Sequence, residues 1–287
     1  MTATTVSIAG VQMSMVADPA QNLGHAMQIV RDAAARGASI VVLPELFTRP
    51  YFPQYHGRPE YLAWAEPVPG PTTDAIGAVA RELGVTIIGS IYERAMAGLR
   101  YNTAVMIGPD GNVIGRSRKA HIPDDRGYGE KYYFAPGDSG YPVFILPGRD
   151  GPVVAGVATC WDQWFPEVAR IFALKGAELV AYPTAIGTEP GYPGLDTHDA
   201  WRTVMRGHAI ANAVFVMAVN RVGIEDGITF YGGSFVADPM GAVIAELGPD
   251  EGILEATIDC GSIDRAREIS TFFRDRRPDT YREISGA

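Results

Sequence analysis

The sequence predicts a single α/β domain spanning residues 1–287. Three observations carry that reading. Short β-branched runs alternate with segments of helical periodicity. Most of those runs are apolar almost throughout, as strands covered on both faces are. And one stretch is nearly repeated: GASIVVLPE (37–45) is echoed by GAELVAYPT (176–184), each a Gly-Ala after a helix, then a strand, then a proline. The echo predicts two similar strand–helix halves within one domain, each ending a strand at a corresponding place.

The elements follow in order. TVSIAGVQ (5–12) reads as a strand. AQNLGHAMQIVRDAAAR (20–36) has helical spacing and stops at Gly37. SIVVLPE (39–45) is a buried strand with Pro44 near its end, and a helix near 72–84 leads into VTIIGS (85–90). NTAVMIGPDGNVIGRSRK (102–119) is two strands turned at Pro109-Asp110-Gly111. PVVAGVATC (152–160), ELVAYPT (178–184) and VFVMAVN (214–220) are further apolar strands, with helices between them. SFVADPMGAVIAEL (234–247) is a second hairpin. The loop at 120–140, rich in Pro, Asp, Gly and Tyr, is long enough to be read as functional. No Ser/Gly/Pro-rich linker divides the chain.

Composition narrows the function classes. Apolar residues make up 47% and charged residues 20%, a globular balance. A net charge of −9 argues against nucleic acid or an anionic membrane as partner. No basic leader precedes an apolar segment at the N-terminus, and no apolar run reaches the ~20 residues of a spanning helix. Two cysteines make no disulfide framework, so a reducing cytoplasm is expected.

Three strand ends carry chemistry. Cys160 closes an apolar run and is followed at once by WDQWFPE. Buried free cysteines are usually inert, so a nucleophile needs a group that favours its thiolate and one that moves protons. His121 is the nearest histidine on the N-terminal side of Cys160. Glu45 closes IVVLPE. Lys119 closes NVIGRSRK, where Arg116 and Arg118 alternate with it, so Lys119 faces the opposite side, inward, and needs an anionic partner. Strand ends in an α/β sheet converge on one crevice, which turns three unremarkable residues into one candidate site. His25, His56, His198 and His208 have no metal-ligand spacing, and His198 and His208 fall on different faces of one helix. There is no GxGxxG or P-loop. The expectation is no metal and no cofactor, with Cys260 a bystander.

In this setting the chain resembles the nitrilase superfamily of carbon–nitrogen hydrolases. That family carries a Glu-Lys-Cys triad in this order. The matching contexts are LPELF around Glu45, RKAHIPD around Lys119 and GVATCWDQWFPE around Cys160, and the likeness runs from AGVQM (9–13) to RRPDTY (276–281). PYFPQ (50–54), GYGEKYYFAPGD (127–138), CWDQWFPE (160–167) and YPTAIGTEP (182–190) resemble its N-carbamoylputrescine amidase branch. Arg49, Pro53, Arg126 and Thr188 depart from that branch. Arg49 and Arg126, in loops expected to border a pocket, would suit a substrate with a distal carboxylate, as in N-carbamoyl-β-alanine or an N-carbamoyl amino acid. General aliphatic amidases are further away on motif grounds.

The resemblance implies a four-layer αββα sandwich and a cysteine-dependent amidohydrolase acting on a small N-carbamoyl amine. It implies Cys160 as nucleophile, favoured as thiolate by Lys119, with Glu45 as proton carrier. Lys119 and the backbone N–H of Trp161 would hold the oxyanion. Glu130, in GYGEKYYF, would position the substrate or Lys119. For a cationic far end of the substrate, Glu189 is the first candidate partner and Asp125 the second. The family also implies a dimer or a multiple of dimers, with the tail at about 271–287 against the partner. The rival class, a silent binding or scaffold protein, has no use for an intact Glu45, Lys119 and Cys160.

Overall fold

The computed structural model describes residues 5–285. Two six-stranded sheets stack face to face. In the first, the strands run Gly252–Asp259, Thr5–Gln12, Ile40–Val42, Thr86–Met96, Leu99–Ile107, Val113–Arg118 across the sheet. In the second the order is Val243–Glu246, Phe235–Ala237, Phe215–Val219, Leu179–Pro183, Val153–Val157, Val143–Leu146. Each sheet has three parallel strands at its centre and antiparallel strands at its edges. The two halves of the echo, Ile40–Val42 and Leu179–Pro183, are the middle parallel strand of their respective sheets. The repeated nine residues therefore mark equivalent places in two matched halves.

Helices cover the outer faces. Pro19–Ala35 (α1) and Pro71–Leu83 (α2) pack on the first sheet; Pro166–Leu174 (α3) and His198–Asn212 (α4) pack on the second. Alternation along the strands sorts side chains between layers. Val41 and Leu43 face α1 and α2, whereas Ile40 and Val42 enter the core between the sheets, against Val157, Leu179 and Met217. The layer order is thus α-β-β-α, with an apolar core at each interface between layers and a fourth, aromatic-rich cluster around Tyr51 and Phe52. Met217 is fully buried between the sheets, so truncating it to Ala would cost about 2–5 kcal/mol. Gly10 permits the close approach there: a Cβ would stand 2.8 Å from Val219 Cγ2 and 2.9 Å from Met217 Cε.

Local signals place the element ends. Asp18 caps α1 by accepting the Ala20 N–H at 2.9 Å, Pro19 occupies the first turn, and Gly37 beyond the helix has φ +105°. The 39–45 strand is shorter than its apolar run suggests. It ends at Val42, and Glu45 lies in the turn that follows. The long 120–140 loop contains a small hairpin, Asp124–Asp125 paired with Tyr128–Gly129, that leads directly into a 3-10 turn over Glu130–Tyr132. The tail folds onto its own chain, with Phe273 packed on the outer core of the second sheet and flanked by Arg170 and Arg267. No helix among the described residues is long and apolar enough to cross a membrane.

Candidate active site

The Val153–Val157 strand ends just before Cys160, and the chain turns into a 3-10 helix over Cys160–Trp164. Cys160 itself has φ +43°, a left-handed conformation that costs a non-glycine residue about 1–2 kcal/mol. The surroundings hold it there. The buried Asp162 carboxylate accepts the backbone N–H of Thr159 at 3.2 Å, of His121 at 2.8 Å and of Ala120 at 3.4 Å, and lies 2.7 Å from His121 Nδ1. It thereby ties the Cys160 turn to the segment that follows Lys119. Gln163 Oε1 accepts from Trp201 Nε1 of α4 at 2.7 Å, and Pro166 starts α3 where a missing N–H is harmless.

Lys119 follows the Val113–Arg118 strand and, as the alternation predicts, points away from the two arginines, which both pair with Glu93 on the other face. Its ammonium is fully buried between two carboxylates. Nζ lies 2.9 Å from Glu45 Oε1, and 2.8 and 2.7 Å from the two oxygens of Glu130. Glu45 Oε1 also accepts from Asn102 Nδ2 at 2.6 Å, and Asn102 is oriented by Ser90 Oγ at 3.0 Å. Tyr51 donates its hydroxyl to Glu130 Oε1 at 2.5 Å. Glu45 Oε2 is buried with no hydrogen-bond partner. A carboxylate with one oxygen anchored and the other free can accept a proton without losing its seat.

Lys119 favours the thiolate, yet the Cys160 thiol is pushed well above its ordinary value. Burial is the main cause, Glu45 is the next, and Glu130 adds to it, outweighing Lys119. The resting group is the thiol, with Sγ 3.6 Å from the Ala185 carbonyl oxygen that accepts from it. Burial alone would lower the Lys119 pKa, yet Glu130 and Glu45 raise it, so the ammonium stays charged. Burial lifts Glu130 to about 7 against the opposing pull of Lys119. The site thus stores a proton on sulfur and has a free carboxylate oxygen to take it.

Cys160 and Glu130 open onto a cavity of about 550 Å³. Its wall includes Trp161, Trp164, Tyr128, Asp125 and Glu189. The Trp161 side chain is 41% exposed, and its N–H has no backbone acceptor among the described residues. The expected residues therefore gather in one place: Cys160, Glu130, Trp161, Asp125 and Glu189 line the cavity, and Lys119 and Glu45 are buried beside Glu130. Burial, then Asp125, raises the Glu189 carboxyl. Arg49 does not border this cavity. Its guanidinium lies 4.4 Å over the Trp64 ring in a separate groove. Arg126 is exposed and outside the cavity wall. Cys260 is half-buried, and no group of three His, Cys, Asp or Glu side chains among the described residues is arranged to hold a metal ion. Asp162 makes the loop hydrogen bonds its place in CWDQWFPE suggests. Tyr51, within PYFPQ, was given no role, and Asn102 and Arg221 were missed by sequence reasoning: they carry no periodicity or motif signal of their own, and only the partners they meet reveal them.

Ionisable groups sealed into the meeting place of two sheets, with a cavity over them, define an enzyme rather than a scaffold protein. Residues 7–268 match the carbon-nitrogen hydrolase family, and the chain belongs to it. It is a hydrolase of carbon–nitrogen bonds. It is 45% identical to an N-carbamoylputrescine amidase of Solanum lycopersicum, over 97% of this chain and 94% of that one. It is 41% identical to a citrullinase of Francisella tularensis, over 97% and 98%. Among solved structures, a carbon-nitrogen hydrolase from Helicobacter pylori G27 superposes with a TM-score of 0.93 at 35% identity, covering 99% of each chain.

Proposed function

We propose that this protein hydrolyses the terminal ureido C–N bond of an N-carbamoyl amine, N-carbamoylputrescine first among them, to ammonia, carbon dioxide and the amine. Cys160 Sγ attacks the ureido carbon while the free Oε2 of Glu45 takes the thiol proton. Lys119 and the Trp161 N–H stabilise the oxyanion, each donor contributing about 3–4 kcal/mol. Glu45 returns the proton to the leaving nitrogen, and ammonia departs. Glu45 then draws a proton from water, which attacks the S-carbamoyl thioester. The released carbamate collapses to carbon dioxide and the amine, and the thiol regains its proton. Glu130 keeps Lys119 in place.

One observation carries the substrate class: Asp124, Asp125 and Glu189 line the cavity against a single Lys131. A wall with this acid excess suits a distal ammonium, the feature of a carbamoyl diamine. The tomato relative's name supports the same reading. Lys131 favours a second reading, an N-carbamoyl amino acid whose far end carries a carboxylate as well. Citrulline, an N-carbamoyl amine with both charges, belongs to it, and a citrullinase is among the relatives. Ammonia release from N-carbamoylputrescine, N-carbamoylbutylamine, citrulline and N-carbamoyl-β-alanine separates the two. A higher kcat/KM for the diamine supports the first reading; a preference for N-carbamoyl-β-alanine rejects it.

The protein is further proposed to act in the cytoplasm, where its free thiols stay reduced, as a dimer or a multiple of dimers. Phe272, Tyr281 and Ile284 of the tail are exposed apolar side chains that suit an interface. Sedimentation as a monomer at micromolar concentration would reject the assembly.

A further inference from the structure

Arg221 is among the largest fully buried side chains of the protein, and it lies just beyond the Phe215–Val219 strand, in the half opposite Glu45. It contacts main chain rather than substrate-facing groups. Its Nη2 donates to the carbonyls of Glu45 at 2.5 Å and Leu46 at 3.2 Å, and its Nη1 to that of Arg49 at 3.2 Å. Three carbonyls of one turn therefore converge on one guanidinium. Within that turn Leu46 has φ +49°, a left-handed conformation unfavourable for a leucine, and its N–H donates to Ser90 Oγ. Nη1 also pairs with Glu225 Oε1 at 2.8 Å, and Glu225 Oε2 accepts the backbone N–H of Tyr51. The Tyr51 hydroxyl in turn donates to Glu130. The contacts close a ring: Arg221, Glu225, Tyr51, Glu130, Lys119, Glu45, and back to Arg221 through the Glu45 carbonyl.

We propose that Arg221, oriented by Glu225, is a positioning residue that sets the separation of Glu45 and Glu130 on either side of Lys119. The guanidinium fork fits this task because it satisfies several planar acceptors at once. Without it, the carbonyls of Glu45, Leu46 and Arg49 and the Glu225 carboxylate each lose a donor, the left-handed turn relaxes, and Glu45 moves off Lys119. The inference rests on Glu45 acting as the proton carrier for Cys160.

The test uses the full chain and whichever ureido compound the wild type hydrolyses fastest. Arg221→Met, Arg221→Lys and Glu225→Gln are compared with Met205→Ala, a core truncation in α4 away from the site. Misplacing a catalytic group by about 1 Å costs on the order of 10²-fold, so Arg221→Met should lose about that in kcat while KM stays within about threefold, and Arg221→Lys should recover part of the loss. Met205→Ala should lower Tm and leave kcat within about threefold of wild type. If the Arg221 and Glu225 variants lower Tm but keep the wild-type kcat, the pair is merely structural and the proposal falls. It also falls if none of the three variants folds. Turnover by Cys160→Ala would instead defeat the underlying reading, whatever the Arg221 variants do.

Discussion

The backbone N–H of Glu45 donates to the carbonyl of Thr184 at 3.3 Å. These residues end the two halves of the sequence echo, GASIVVLPE and GAELVAYPT, so the contact joins equivalent points of the two sheets. One half ends in an acid beside Lys119. The other leads at once into Ala185, whose carbonyl accepts from Cys160. The site sits at the seam where matched strand ends meet, which is why its groups come from such distant parts of the chain.

Cys160→Ala removes the thiol at that seam, and the side chain is small and not part of the main cores. The fold should survive, with a change in Tm of a few degrees at most. Turnover should fall by about 10⁵–10⁶-fold, as when other hydrolases lose a nucleophile. Ammonia release from a folded Cys160→Ala protein at more than a trace of the wild-type rate would remove Cys160 from the mechanism.

The raised thiol pKa predicts slow alkylation of the resting enzyme. In a Cys260→Ser background, iodoacetamide should label Cys160 at neutral pH more slowly than it labels a free thiol of pKa ~8.5, and the rate should climb as pH rises. Lys119→Met should slow it further, because a cation that favours the thiolate is gone. That variant should also lose about 3–5 kcal/mol of stability, since two buried carboxylates are left facing each other. Mass-spectrometric labelling rates and denaturant melts measure both. Labelling faster than the free thiol would show a resting thiolate instead.

Lys119 shows how far the sequence can be read. Alternation with Arg116 and Arg118 was enough to turn Lys119 inward, and strand ends were enough to bring Glu45 and Cys160 toward it. The αββα layering was legible only through the family resemblance, although the echo already pointed to two halves. The number of acids around the lysine was not legible. Glu130 sits in a loop, and only its burial against Lys119 and Tyr51 reveals that carboxylates outnumber the ammonium. Arg221 has no sequence signal either: a charge after an apolar strand reads as surface, yet it is fully buried.

Glu130 gives a pH test with a definite sign. Its folded-state value is about 7, above the ordinary 4.5, so between these the folded protein holds a proton that the unfolded chain has released. Stability from this group is present at low pH and is lost as pH rises toward 7. Glu130→Gln has no such group. The difference in Tm, wild type minus variant, should therefore fall from about pH 4.5 to 7 and then level off. A difference that grows over this interval would mean that Lys119 has depressed the carboxyl instead.

Asp162→Asn should loosen the Cys160 turn. The carboxylate accepts three backbone N–H groups and faces His121, and an amide presents donors to some of those same donors. Hydrogen bonds to a charged group contribute about 1.5–3 kcal/mol each, so a net loss of about 3 kcal/mol is expected after relaxation. Since these bonds join the Cys160 turn to the Lys119 segment, kcat should fall along with Tm. A variant with lower Tm and unchanged kcat would show that the tie contributes to folding alone.

The far end of the substrate gives the sharpest discrimination. Glu189 and Asp125 both line the cavity, and Glu189 is raised by burial and then by Asp125, so the two acids feel each other. A bound ammonium relieves that repulsion; an alkyl group does not. Asp125 is exposed and Glu189 only half-buried, so water screens both, and losing either should cost about 1–2 kcal/mol rather than the value of a sealed pair. Glu189→Gln or Asp125→Asn should thus raise KM for N-carbamoylputrescine about 5- to 30-fold. Neither should change KM for N-carbamoylbutylamine by more than about twofold on the same scale. The acid must be ionised to hold a cation, so KM for the diamine should also fall as pH rises through the elevated Glu189 value, and Glu189→Gln should flatten that dependence. Steady-state kinetics on both substrates from pH 5 to 8, a range on the order of that spanned by raised carboxyl values, decides the matter. Equal losses on the charged and neutral substrates would make these acids structural and return attention to Lys131 and a carboxylate-bearing substrate.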